Sequence, residues 1–214
     1  MTTGNVEHSY QDYHSDIVNG ITWQDMETIM QALRADNADE LRAPLSKMTD
    51  KNYLFQVYDY LDPRDWTDDE YLSLRHFMSI LHLAAQLGSA NCVELLVKEG
   101  LDVNLYAKND NQIDEFVPLH ALCTRSFLEK KSDFEKCAEI LLSNGADYTL
   151  RLFNDPNRQS AYEFAMGINI PQVKKRSTLF EPTSLRNKTA DLVKPAFEKF
   201  MKAQEEKSEY SLDM

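Results

Sequence analysis

Apolar residues in 79–104 fall into two short bursts, each closed by a glycine. Leu81, Leu83, Ala84 and Ala85 line a first short helix, and Gly88 lets the chain turn. Val93, Leu95, Leu96 and Val97 give a second helix, stopped at Gly100, where a left-handed residue is needed and a side chain would clash. The pattern returns at 117–149. Leu119, Ala121, Leu122 and Cys123 repeat the first helix, Ala138, Ile140, Leu141 and Leu142 the second, and Gly145 the stop. A helix pair of this size cannot bury its own apolar face, so it must stack on neighbours.

Weaker patterns flank the pair. Thr22 to Asp25 has the spacing of a capping box, followed by Met26, Ile29, Met30 and Leu33 at helical positions. Asn37 and Glu40 precede Leu41, Leu45 and Met48, and a further helical spacing joins Leu54, Val57, Tyr58 and Leu61. Thr67 and Glu70 precede Tyr71, Leu72 and Leu74. We read 21–75 as a helical N-terminal cap containing one or two degenerate repeats, after an acidic tail at 1–20. Downstream, Ser160–Met166 reads as another first helix. An amphipathic segment with Leu185, Leu192, Val193, Phe197, Phe200 and Met201 follows, which Pro195 kinks or restarts.

The stretches SILHLAAQLGSANCVELLVKEGLDVN and VPLHALC…FEKCAEILLSNGADYT resemble the ankyrin repeat, with its TPLHLAA start and GADxN end. The resemblance implies an all-α, elongated stack. Its repeats fall at about 76–108 and 112–150, with a degenerate one at 155–202 and an acidic tail at 203–214. It also implies a binding surface rather than an active site. Departures are specific. Ile80 replaces the family's proline, and Val117 its threonine, a lost hydroxyl cap that costs about 1 kcal/mol. Phe77, Glu115 and Arg158 stand where the family has a turn glycine. The second unit runs seven residues longer, around Arg125–Ser132.

Composition narrows the class. The chain has 214 residues, 43% of them hydrophobic, enough for one core. No apolar run is long enough to span a membrane. Residues 1–16 lack the basic and apolar regions of a signal peptide, so we expect a cytoplasmic location. Three cysteines at buried repeat positions, Cys92, Cys123 and Cys137, point to packing in a reducing compartment. Residues 1–70 carry fifteen acidic and five basic side chains, a net of −10, which disfavours nucleic acid and suits a basic protein partner. Residues 171–202, with eight basic and three acidic, are the exception.

No constellation reads as catalytic. His82 and His120 sit in successive units, about 10 Å apart in a helical stack and too far to share a metal. By resemblance they order the hairpins through hydrogen bonds. Cys123, three residues after His120, occupies a buried alanine position and lacks the exposure a nucleophile needs. The acidic run 62–70 lacks the calcium-loop spacing, and no cofactor fingerprint is present. We therefore expect no enzyme activity, no metal and no cofactor, with an unrecognised active site as the remaining alternative.

The expected partner-binding residues follow from exposed positions of the family's concave face. They are His76, Met78, Gln86 and Leu87 at the first unit, and Ile113, Asp114, Phe116, Thr124 and Arg125 at the second. Apolar side chains among polar ones mark a protein-binding patch. The alternative is that the 105–117 hairpin folds back and buries Ile113 and Phe116 itself. Last, the glutamate-rich C-terminus resembles the EExxE signal of Dot/Icm type IV secretion effectors of intracellular bacteria. That resemblance implies translocation into a host cytosol and a host protein as partner, bound by a chain that is monomeric when free. An adaptor or inhibitor acting within its own cell is the alternative.

Overall fold

The computed structural model describes residues 17–58, 75–109, 111–123, 133–156, 158–166, 168 and 184–212. Eight helices are present among them: α1 (Trp23–Ala35), α2 (Ala38–Lys47), α3 (Ile80–Leu87), α4 (Ala90–Lys98), α5 (Pro118–Ala121), α6 (Phe134–Ser143), α7 (Ala161–Ala165) and α8 (Ser184–Leu212). They pack in two rows. α1, α3, α5 and α7 follow one another in the first, and α2, α4, α6 and α8 in the second. Apolar side chains from every helix join in one core.

Local chemistry sets the helix ends. The Thr22 hydroxyl and the Asp25 carboxylate close the expected capping box on α1. Gly88, Gly100 and Gly145 all take positive φ, at 68°, 85° and 87°, where the sequence places helix stops. Asp36 ends α1 in the same conformation, and its carboxylate accepts from the backbone N–H groups of Asn91 (2.9 Å) and Cys92 (3.1 Å). The first helix pair therefore caps the start of α4. Helix α8 runs through Pro195 and ends at Leu212, so 203–212, expected as a tail, is helical; its residues Lys202–Lys207 are exposed.

The chain is mostly helical, consistent with the all-α expectation, with one addition. The described residues also hold a small antiparallel sheet of β1 (Phe55–Tyr58), β2 (Arg75–Met78) and β3 (Lys108–Asn109), in the order β1-β2-β3. The spacing of Val57 and Tyr58 predicts a helix, yet they pair with His76 and Arg75 across a sheet. β-branched and aromatic residues fit a pleated strand, and cross-strand pairing outweighs a four-residue periodicity. Leu61 and the segment 67–74 lie outside the described residues, as do 1–16, the whole 125–132 insertion and the basic segment 174–183.

Asparagines tie each turn to the next. Asn19 Oδ1 accepts from the Asp50 N–H (2.8 Å) and the Thr49 hydroxyl (2.7 Å), and its Nδ2 donates to the Asp50 carbonyl (2.7 Å). Asn52 Oδ1 accepts from the Asp102 N–H (2.8 Å). Asn104 Oδ1 accepts from the Asp147 N–H (2.8 Å), and its Nδ2 donates to the Gly145 carbonyl (3.0 Å). Within each turn the aspartate accepts from the backbone two residues on: Asp50 from Asn52, Asp102 from Asn104 and Asp147 from Thr149. The Asp-x-Asn turn thus occurs first at 50–52, one helix pair earlier than the clear sequence repeat.

Gly20 makes the first rung possible. Its φ is +82°, and a Cβ there would lie 2.2 Å from the Lys47 carbonyl oxygen. Gly20→Ala should lower the unfolding free energy by at least about 2 kcal/mol, because strain and a backbone clash add. Urea denaturation checks this; an unchanged midpoint would show that the 17–21 turn is not held against α2.

Candidate functional site

The two histidines that looked most like chemistry are structural joints. Both are fully buried. His82 Nδ1 lies 2.8 Å from the Ser79 hydroxyl and accepts from the Ser79 backbone N–H at 3.3 Å. A backbone N–H can only donate, so Nδ1 is the bare nitrogen and Nε2–H donates to the Phe116 carbonyl (3.2 Å). One ring therefore caps α3 and fastens the next hairpin. Burial pushes the His82 pKa down to about 4.

His120 repeats this arrangement incompletely. Its Nε2 lies 3.4 Å from the Gln159 carbonyl, but its Nδ1 has no hydrogen-bond partner. The cause is visible in sequence: Val117 occupies the place of Ser79 and offers no hydroxyl, and α5 has no side-chain N-cap bond. Burial lowers the His120 pKa to about 4 as well.

The cysteines are packing groups too. Cys92, Cys123 and Cys137 are buried and unpaired. Burial, with the Asp36 carboxylate adding for Cys92, raises the Cys92 thiol to about 12; burial alone raises Cys123 to about 12, and it raises Cys137 also. Thiols held protonated in this way are poor nucleophiles and poor metal ligands. Among the described residues no group of three or more His, Cys, Asp or Glu side chains converges as a metal site would require. A shallow, open hollow of about 350 Å³ lies between Asp36, Asn37, Asp39 and Asn91. Its Asp36 carboxylate is already occupied in capping α4, and Asp39 pairs with Arg42 at 3.3 Å.

The recognition candidates divide. Ile113 is 51% exposed at the tip of the 108–114 hairpin. Asn109 Oδ1 accepts from the Asn111 and Ile113 N–H groups, Gln112 takes φ 59°, and Lys108 pairs with Asp114 at 2.9 Å, so the tip is pinned on both sides. Gln86 and Leu87 are partly exposed at the end of α3, and Asp114 is partly exposed beside Ile113. Met78 and Phe116 are not on the surface: they are 4% and 6% exposed. Met78 lies opposite Phe55 in the β1–β2 register, and alternation turns both inward. Phe116 packs edge-on against the His82 ring, with centroids 5.7 Å apart. The hairpin thus buries one of its two apolar residues and presents the other. Nothing is described of the His76 side chain, and Thr124 and Arg125 lie outside the described residues.

Sequence reasoning missed the neighbouring hairpin, 151–160. The Phe153 N–H donates to the Glu115 carbonyl (2.6 Å), which sets this hairpin beside the 108–114 one. Phe153 and Asn154 both take positive φ, 57° and 49°, and the Arg158 guanidinium lies 5.4 Å from the Phe153 ring centroid. No periodicity signals a tip of this kind. The only hint is the turn composition of Asn154, Asp155, Pro156 and Asn157.

A family model, Ankyrin repeat, matches residues 76–110. The match spans β2, α3, α4 and β3, and supports an ankyrin-repeat protein. Comparison with curated proteins gave no match.

Two outcomes follow from the joints. Val117→Thr should raise the unfolding free energy by about 1 kcal/mol, since the new hydroxyl reaches the orphaned His120 Nδ1 and caps α5. A lower or unchanged melting temperature would refute that geometry. Acid should weaken the fold through both histidines. Their folded pKa values, about 4, lie below the ordinary 6.5, so the unfolded chain binds more protons between those limits. Stability is complete above about pH 6.5 and is lost as pH falls toward 4, by at most about 1.4 kcal/mol per pH unit for each ring. Urea titrations at pH 7.5, 6 and 5 should show this slope, and His120→Asn should remove about half of it; a flat wild-type profile would contradict the burial of both rings.

Proposed function

We propose that the chain is a protein-interaction module whose partner binds across the hairpin tips and the ends of the first-row helices. The observation that carries this reading is Ile113, held half-exposed by a pinned backbone at the 108–114 tip, with Leu87 partly exposed at the C-terminal end of α3, in a chain whose residues 76–110 match the ankyrin repeat. Gln86 and Asp114 supply polar rim, and the family's pattern of concave-face positions adds His76, Thr124 and Arg125. Met78 and Phe116 support it from beneath. Apolar anchors desolvated at the centre hold such complexes, while charge mainly speeds encounter. The acidic segment 1–70 favours a basic partner surface.

Four units stacked as α1–α2, α3–α4, α5–α6 and α7–α8 form the scaffold in this reading. The module acts without catalysis in this reading: His82, His120 and the three thiols are buried, and ankyrin repeats are generally interaction domains. Among the described residues no helix is long and apolar enough to cross a membrane. We place the partner in a eukaryotic host cell, on the C-terminal resemblance alone. An own-cell partner is the competing assignment.

Capture from host and from producer lysates, followed by mass spectrometry, identifies the partner and separates these two. Replacing Leu87 and Ile113 together by alanine should then weaken binding by about 2 kcal/mol, some thirtyfold in Kd, with an unchanged circular dichroism spectrum. A folded double variant that binds its identified partner at wild-type affinity would move the site away from this face.

A further inference from the structure

Among the described residues, the cationic side chains at the two adjoining tips are unequally engaged. Lys108 pairs with Asp114 at 2.9 Å. Arg151 bonds both carboxylate oxygens of Glu163, at 2.9 and 3.1 Å, and also donates to the Arg158 carbonyl. Arg158 differs. Its Nε stands 3.7 Å from an Asp155 carboxylate oxygen, beyond hydrogen-bond reach. Among the described residues its two Nη groups bond to nothing. The side chain is 26% exposed, so the group is sheltered yet reachable.

The guanidinium is also held in place. It lies over the Phe153 ring, 5.4 Å from the centroid. Phe153 takes φ 57°, costly for an aromatic residue, and Asn154 follows at 49°. Backbone bonds keep that shape. The Phe153 N–H donates to the Glu115 carbonyl (2.6 Å), Asn154 to Arg151 (3.1 Å), Asp155 to Leu152 (3.2 Å) and Arg158 to Asp155 (2.9 Å). A planar cation already resting on a ring loses less freedom on binding than a free surface arginine does. The ring itself is partly exposed beside it.

The geometry points to Arg158 as a carboxylate receptor: an exposed Asp or Glu side chain of the protein partner docks on its two Nη groups, and an apolar neighbour of that residue meets the Phe153 ring. Two parallel charge-assisted bonds match a planar guanidinium to a carboxylate better than to a hydroxyl or a carbonyl. Asp155 is the local competitor, but it approaches Nε alone and leaves the fork open. The inference rests on the interaction-module reading. At this tip it adds the opposite charge preference to that of residues 1–70.

Panning a phage-displayed library of random peptides on the full chain tests this with probes of known sequence. A chain of net charge −12 repels acidic peptides at long range, so an acidic consensus has to come from a local site. The selected peptides should share an Asp or Glu next to an apolar residue. Changing that acid to its amide, or Arg158→Met, should each raise Kd by at least about tenfold, and the two together should cost little more than either. Arg158→Lys should recover only part of the loss, because an ammonium offers no fork. Asp155→Asn should tighten binding by about twofold or more, a gain that a damaged tip could not produce. Selection without an acidic consensus, acidic peptides that bind the Arg158→Met chain as tightly as the wild type, or losses that simply multiply in the paired changes would overturn the inference. The interaction-module reading would survive any of these if Leu87→Ala with Ile113→Ala still weakened the partner captured from lysate.

Discussion

A buried imidazole with both nitrogens occupied holds the centre of this fold. His82 sits where water cannot reach it, and an unbonded ring nitrogen there costs about 1–3 kcal/mol. The Ser79 cap and the Phe116 carbonyl meet that demand only in one mutual placement of α3 and the following hairpin. The joint therefore fixes direction, which apolar burial alone cannot do. Asn104 fixes the opposite end of the same pair, at the turn. Between these two polar ties, Leu81, Leu96, Leu119 and Leu141 need only fill space.

Much of this was legible in the sequence because it depends on local chemistry. Gly88, Gly100 and Gly145 act within a turn of their own helices, and the buried positions of α4 and α6 follow a helical period, while α3 is buried along six consecutive residues. The capping box at Thr22 and the loss of a cap at Val117 were readable for the same reason. The strands were not. β1 is four residues long, and its identity is decided by Met78 and Phe77 across the sheet, some twenty residues away. The first Asp-x-Asn turn, at 50–52, was equally hidden, since three residues carry little information until Asp102 is seen to answer Asn52.

The proposed recognition face shows the same division. Its location came from resemblance, and its membership from alternation that only pairing reveals. Phe116 and Ile113 are both apolar and three residues apart. One turns inward onto a histidine ring, and the other is held outward by Asn109. The family's concave-face pattern exposes Met78, but a strand partner for Phe55 faces the core.

Strain is concentrated where recognition is proposed. Five non-glycine residues among those described have positive φ. Asn19 and Asp36 have structural tasks, as the first rung and the α4 cap. Gln112, Phe153 and Asn154 lie at the two adjoining tips, and such backbone costs of order 1 kcal/mol each. It persists only where neighbours over-determine it. Asn109, Lys108 and Glu115 do so here, through bonds that would be unnecessary if the tips were free to vary. A surface residue held in a costly conformation by several polar ties is presented in one orientation before any partner arrives. For the proposed binding at Ile113 the ordering cost is then met in folding, and the buried joints are what make that possible.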